Sequence, residues 1–220
     1  MKLGVLFSGG KDSTYSAFLA KEKGHELICL ISLISKNPDS YMFHTPAINL
    51  VEKQAKLMNL PLIKQETLGE KEKELEDLEK AIKKAIEKYK IQGIVTGALK
   101  SSYQKSRIES ICKSLKIKCL NPLWNKDQIE LLNELIKNNF EIIISGVAAY
   151  PLDNSWIGRK IDLNFIKEIE ELSKRYKLNP AGEGGEFESL VINCPLFKNN
   201  LKISLKKIIG ENYSFRGIFK

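Results

Sequence analysis

The chain has 220 residues, 43% of them hydrophobic and 28% charged, enough to bury a core for one large domain or two small ones. No apolar run approaches the roughly 20 residues that cross a bilayer, and the first residues enter a strand-like segment without a basic stretch or cleavage site, so a cytoplasmic protein with no membrane partner is expected. The formal charge of +8 is compatible with nucleic acid, but Lys and Glu interleave instead of forming a basic block, which is the pattern of solvated helix faces and does not point to stable nucleic-acid binding.

In chain order, "KLGVLF" (2 to 7) is an apolar run of strand length, followed by a glycine turn and by "DSTYSAFLAKEKG" (12 to 24), where Tyr15, Phe18 and Leu19 recur at helical spacing and Gly24 supplies a stop. "ELICLIS" (26 to 32) reads as a second strand, and a helix is expected to start with Thr45 as N-cap and Pro46 at its first position. "PLIKQET" reads as a third strand. Residues 70 to 89 place Leu75, Leu78, Ile82, Ile86 and Tyr89 at spacings of three and four, which predicts a long amphipathic helix. "GIVTGA" (93 to 98), "YQKSRIESICKSL" (103 to 115) and "IKCLNP" (117 to 122) then read as strand, helix and strand.

Strands of two-sided apolar character alternating with helices predict a parallel sheet covered on both faces, a doubly wound α/β domain over residues 1–121. A helix in "DQIELLNELIKNN", a strand in "FEIIISGVAAY", a helix near 162 to 176 and short apolar runs toward the C-terminus predict a smaller α+β domain over 122–220. With all five parallel strands in the first part, residues 1–121 are expected to bind nucleotide alone. The four cysteines contain no C-x-x-C pair and there are only two histidines, so reduced thiols are expected rather than a zinc site.

The turn after the first strand is S-G-G-K-D-S, Ser8 to Ser13. A mononucleotide P-loop needs G-x-x-x-x-G-K-S/T; here Gly10 intervenes after Gly9 and Asp12 follows Lys11, so the register fails. A dinucleotide fingerprint needs G-x-G-x-x-G, and the glycines here are adjacent. What remains is still an anion site: Gly9 and Gly10 let backbone N–H groups approach, a helix N-terminus adds partial positive charge, Ser8 and Ser13 add hydroxyls, and Lys11 adds a full charge. A pyrophosphate fits that set.

This motif after a first strand resembles the PP-loop ATPases, which implies a five-stranded parallel HUP-like sheet and cleavage of ATP between its α- and β-phosphates. "SYMFHTP" (40 to 46), "GALKSSYQKSRIESICKSL" (97 to 115), "PLW" (122 to 124) and "GEGGEFESLV" (182 to 191) together resemble the diphthine–ammonia ligases, in order and over almost the whole chain. The resemblance implies ATP-dependent amidation of diphthine on translation elongation factor 2, through an acyl adenylate, with ammonium as nitrogen donor and AMP and pyrophosphate as products. A PP-loop tRNA-modifying ligase or thiolase and a non-catalytic adenine-nucleotide sensor are the alternatives.

On this reading Ser8, Gly9, Gly10, Lys11 and Ser13 hold the polyphosphate, and Asp12 either binds Mg²⁺ or favours the helix N-terminus. Lys11, Asp12 and Ser13 are the catalytic candidates. Adenine is expected over the carboxyl ends of the strands, near Ile31, Ser32 and Gly97, with Met42 and His44 in a loop over the base. Tyr103, Gln104, Arg107 and Glu109 open a helix on the substrate side, where Arg107 either grips a phosphate or carboxylate or forms an ion pair on the helix face. The acidic loop Glu183, Gly184, Gly185, Glu186, Phe187 and Glu188 is expected to recognise the trimethylammonium group of diphthine, with Phe187, Tyr150 and Trp156 supplying aromatic faces. Trp124 is expected to pack.

Overall fold

The computed structural model describes residues 1–35, 50–70 and 72–220. Met42, His44 and the helix start expected at Thr45 lie outside the described residues.

Five parallel strands form the first sheet: β1 (Lys2–Leu6), β2 (Glu26–Ser35), β3 (Leu62–Thr67), β4 (Gly93–Val95) and β5 (Lys118–Leu120), in the order β3-β2-β1-β4-β5. Because successive side chains of a strand point to opposite faces, this sheet builds two cores. On one face Cys29, Ile31 and Ile94 pack under α3 (Lys73–Tyr89) and α4 (Ser102–Ser114), meeting Leu78, Ile82, Ile108 and Ile111. On the other face Leu3, Val5, Leu30 and Val95 pack under α1 (Lys11–Glu22) and α2 (Val51–Met58). The periodicity expected from residue 70 is confined to Lys73–Tyr89, and the strands read at "GIVTGA" and "IKCLNP" are three residues each.

The rest of the chain supplies α5 (Gln128–Lys137), β6 (Glu141–Val147), a 3-10 turn at Asn154–Trp156, α6 (Leu163–Tyr176), β7 (Phe187–Asn193), β8 (Leu205–Glu211) and β9 (Ser214–Phe219). The four strands make an antiparallel sheet in the order β7-β6-β9-β8. Asp127 caps α5 by accepting from the Ile129 and Glu130 N–H groups, Asp162 caps α6 through Phe165 N–H, and Ser101 caps α4 through Gln104 N–H.

The second sheet packs closely on the first part of the chain, and this bears on whether residues 1–121 would fold alone. The core under α1 is continuous with Leu131, Leu135, Ile142, Phe165, Leu190 and Val191 of the later elements. Tyr15 of α1 is 1% exposed, stands edge-on to Phe140 at 5.3 Å, and donates its hydroxyl hydrogen to Glu134 of α5 at 2.8 Å. A chain ending at residue 121 would leave that face of α1 in water, a loss of roughly 1.5–3 kcal/mol for each large side chain uncovered. Such a chain is expected to show no cooperative calorimetric transition, whereas a sharp transition near that of the full chain would contradict the shared core.

Candidate active site

β1 ends at Leu6, and the chain turns through Ser8, Gly9 and Gly10 into α1. Gly9 has φ +80, a left-handed conformation that disfavours any side chain, and a Cβ there would collide with the Gln54 carboxamide oxygen. The Gly9 carbonyl accepts from Gln54 Nε2 at 3.0 Å and from the Val191 N–H of β7 at 3.1 Å. Gln54 Nε2 also donates to the Val191 carbonyl at 2.8 Å, and the Lys11 N–H donates to Ser189 Oγ at 3.1 Å. The turn is thus held from behind by β7 and α2. Within it, Ser8 N–H donates to Ser13 Oγ at 3.2 Å and the two serine hydroxyls lie 3.1 Å apart. Gly10, at the N-cap of α1, offers no side-chain cap, so the helix begins as an anion site rather than a closed end.

Strand order reverses between β1 and β4, and in open α/β sheets the ligand crevice lies at that reversal beyond the carboxyl ends of the strands. A cleft of about 720 Å³ lies there. Ser8, Asp12 and Ser13 form one wall, Ile31 and Leu33 of β2 an apolar side, and Thr96 to Leu99 the segment beyond β4. The far wall comes from Gly182 to Gly185 and Glu188, with Ala148, Ser214 and Arg216 from the antiparallel sheet. Gly97 belongs to the lining, and its missing side chain has a packing cause: a Cβ would sit 2.8 Å from the Ser13 nitrogen.

Lys11 is 3% exposed; its Nζ lies 2.8 Å from Asp12 Oδ2 and 5.6 Å from the Phe187 ring centroid. The other oxygen of Asp12, Oδ1, is buried and has no hydrogen-bond partner among the described residues. Glu183 accepts from the Lys100 N–H at 3.2 Å. Burial pushes its carboxyl up to about 6, and the negative charge of Asp12 pushes in the same direction while Lys11 opposes both. One buried ammonium and two carboxylates therefore share the end of the cleft nearest the glycine turn. An unsatisfied carboxylate oxygen beside a second carboxylate is a donor set suited to a hard divalent cation that keeps its remaining positions for phosphate oxygens and water.

The acidic loop is placed differently from the expectation. Glu186 is 7% exposed and spent on the loop itself: Oε1 accepts from Asn179 N–H and Nδ2, and Oε2 from Gly184 N–H, each at 2.7 Å. Phe187 is interior, edge-on to Phe165 at 5.7 Å, and the cation it faces is Lys11. Trp156 is 5% exposed, with the Arg159 guanidinium 4.1 Å over its ring. Glu186, Phe187 and Trp156 are thus engaged within the protein, and Glu183 stands with Lys11 and Asp12 at the glycine-turn end of the cleft. Gly184, Gly185 and Glu188 do line the cleft.

On α4, Gln104 lines the cleft, while Tyr103 and Arg107 turn to Glu72: the tyrosine hydroxyl donates to Glu72 Oε1 at 2.7 Å and Arg107 Nη2 lies 3.1 Å from the same oxygen. Arg107 takes the ion pair rather than the anion-gripping alternative. Glu109 accepts from Asn121 Nδ2 at 3.1 Å, and Trp124 lies under Lys105 at 4.8 Å. Ile31 reaches the cleft as expected, but the Ser32 hydroxyl donates to the Phe7 carbonyl and serves the sheet. Gln54, Ser189, Thr96 and Arg216 were not foreseen. Gln54 carried a signal, a polar residue on the buried stripe Val51, Gln54, Ala55, Met58; Ser189 carried none.

Two stability predictions follow from this geometry. Gly9→Ala places a methyl group against Gln54 at positive φ and is expected to cost at least about 1 kcal/mol, read as a lowered Tm; an unchanged Tm would show that the turn is not held as described. For Glu183, a carboxyl raised to about 6 in the fold binds protons that the unfolded chain has already lost. Its contribution is therefore fully present below the ordinary carboxylate pKa and is lost as pH rises through about 6. Without nucleotide or metal, Glu183→Gln should remove that decline and raise Tm at neutral pH; a lower Tm at neutral pH would show that the carboxylate is stabilising.

The comparisons agree with the order of the motifs. Residues 1–119 match the model of the diphthamide synthase N-terminal domain, and residues 127–219 that of the diphthamide synthase C-terminal domain. Bos taurus diphthine–ammonia ligase is 34% identical over 231 residues, covering 96% of this chain and 86% of its own. The Homo sapiens enzyme of that name is 34% identical over 228 residues, 95% of this chain and 85% of its own. The Schizosaccharomyces pombe enzyme is 32% identical over 96% of this chain, which spans only 38% of that longer protein. Among solved structures, a predicted subunit of tRNA methyltransferase from Methanocaldococcus jannaschii is a remote match, 22% identical over 89% of this chain and 98% of its own at a TM-score of 0.45. The chain belongs to the diphthamide synthase family, the family of the diphthine–ammonia ligases.

Proposed function

We propose that this protein is a diphthine–ammonia ligase that activates the diphthine carboxylate of translation elongation factor 2 with ATP and replaces the activating group by ammonia. The observation that carries the reading is the glycine turn at the head of an uncapped helix, rigidly backed by β7, with a buried lysine beside it and an apolar slot at Ile31 and Leu33. The turn and helix N-terminus suit a pyrophosphate, and the slot suits an adenine.

In the first step a carboxylate oxygen of diphthine attacks the α-phosphorus of ATP; the new O–P bond forms as the bond to pyrophosphate breaks. Lys11 and the N–H groups of the turn stabilise the charge gathering on the departing pyrophosphate, where fixed donors in a site shielded from water act most strongly. In the second step ammonium gives one proton to solvent to become ammonia, which attacks the acyl carbon; the C–O bond to AMP breaks, and the nitrogen loses a further proton to the departing AMP phosphate or to solvent to leave the amide. Asp12 and Glu183 would hold Mg²⁺, which when bound supplies charge neutralisation to the phosphates. Lys11, whose Nζ lies 2.8 Å from Asp12 Oδ2, would share that carboxylate with the ion and offer its charge to the phosphates. Glu186 acts by shaping the glycine loop that closes the far wall.

AMP and pyrophosphate are expected to form only when ammonium and diphthine-bearing elongation factor are both supplied; turnover stimulated by tRNA instead, or release of ADP, would overturn the reading. Lys11→Ala should lower that turnover by roughly 10²–10³, the usual cost of losing one preorganised stabiliser. A drop of less than about threefold in a folded variant would remove Lys11 from the chemistry.

A further inference from the structure

Three tyrosines stand together beside the cleft in a cluster that nucleotide binding does not use. Tyr150 follows the cleft-lining Ala148 by two residues, and Tyr213 directly precedes the cleft-lining Ser214. The Tyr150 ring meets Tyr176 at 5.2 Å and Tyr213 at 5.0 Å, both edge-on at 87°. Tyr150 is 53% and Tyr213 44% exposed, and Tyr176 is half-buried. The Tyr150 hydroxyl is held above its ordinary pKa, chiefly by hydrogen bonding with Tyr176.

The backbone adds a second, independent sign. Asn212 and Tyr213 form the two-residue turn between β8 and β9, with φ 46 and 63. Such a turn favours Asn followed by Gly, because both central residues need positive φ. Tyrosine in the glycine position is a strained choice, and strain of this kind persists where the side chain has a task. The result visible here is a third ring against Tyr150, in the chain segments that also supply Ala148 and Ser214 to the cleft. Arg175 lies 5.1 Å over the Tyr176 ring and covers one of its faces; among the described residues no cation covers Tyr150 or Tyr213.

We infer that Tyr150, Tyr176 and Tyr213 form the receptor for the quaternary ammonium group of the protein substrate. A quaternary ammonium has no N–H to donate and is held by ring faces, several of which can form a cage around it. The assignment gives this role to an exposed aromatic corner instead of to the acidic loop, whose carboxylates are occupied by the loop itself and by the end of the cleft nearest the glycine turn. It rests on the reading of this chain as a diphthine–ammonia ligase, since that substrate carries a trimethylammonium group.

The test uses the full chain with two readouts. In the amidation assay, Tyr150→Leu and Tyr213→Gly should each raise KM for diphthine-bearing elongation factor roughly tenfold, while Tyr213→Phe, which keeps the ring, stays within about threefold of wild type. ATP affinity by calorimetry should be unchanged in all three. Folded Leu and Gly variants with wild-type KM would overturn the inference. The second readout is independent of catalysis: in fluorotyrosine-labelled protein, tetramethylammonium should shift the fluorine NMR signals of these three tyrosines, while the neutral isostere tert-butanol should not. No shift, or equal shifts with both probes, would overturn the inference. If the wild type made no amide on the elongation factor, the proposed function would fail, and the tetramethylammonium readout alone would decide whether the cluster is a cation receptor.

Discussion

The Gly9 carbonyl accepts hydrogen bonds from Gln54 Nε2 and from the Val191 N–H, and these contacts join the glycine turn to an antiparallel sheet built from residues more than a hundred positions later. A turn with two glycines is floppy on its own, and an anion site works through donors that do not need to be reorganised when charge appears. β7 supplies the missing rigidity, with the Ser189 hydroxyl fixing the Lys11 N–H and the Gln54 carboxamide filling the space a Gly9 side chain would take. The candidate nucleotide site is therefore a property of both halves of the chain, as is the hydrophobic core around α1.

The same arrangement explains the charge distribution. A buried lysine is costly unless paired, and Lys11 is paired with Asp12 on one side and backed by the Phe187 ring on the other. The pair leaves one Asp12 oxygen without a partner among the described residues and places Glu183 close enough for mutual repulsion to matter. In the absence of ligand this is an electrostatically unfinished site. On the proposed function, a polyphosphate with a divalent cation would complete it, the carboxylates facing the cation and the ammonium the phosphate.

Much of the architecture was legible in the sequence. The two-sided apolar runs at Leu3 to Val5 and Cys29 to Leu33 announced a parallel sheet buried on both faces, and Ser8 to Ser13 stood at the carboxyl end of its first strand. What was not legible depends on contacts between distant segments. Nothing near Ser189 or Val191 reveals that they back the glycine turn, because β7 reads only as a half-buried strand. The placement of Glu186 was not legible either: composition showed an acidic loop, but whether a carboxylate faces outward or folds back on Asn179 depends on the three-dimensional path alone. Arg107 belongs here too, since its partner Glu72 sits 35 residues away at the start of another helix. The tyrosine cluster draws on three separate elements, and only Tyr150 could be suspected from the sequence.

The central claim is that the cleft between the glycine turn and the acidic loop activates a carboxylate by joining it to the α-phosphate of ATP. The most direct measurement is to label the diphthine carboxylate of the elongation factor with a heavy oxygen isotope and to follow the label by mass spectrometry after one round of amidation. An acyl-adenylate route places one labelled oxygen in the phosphate of AMP. Label appearing in inorganic phosphate, or AMP formed without label while the amide is made, would contradict it.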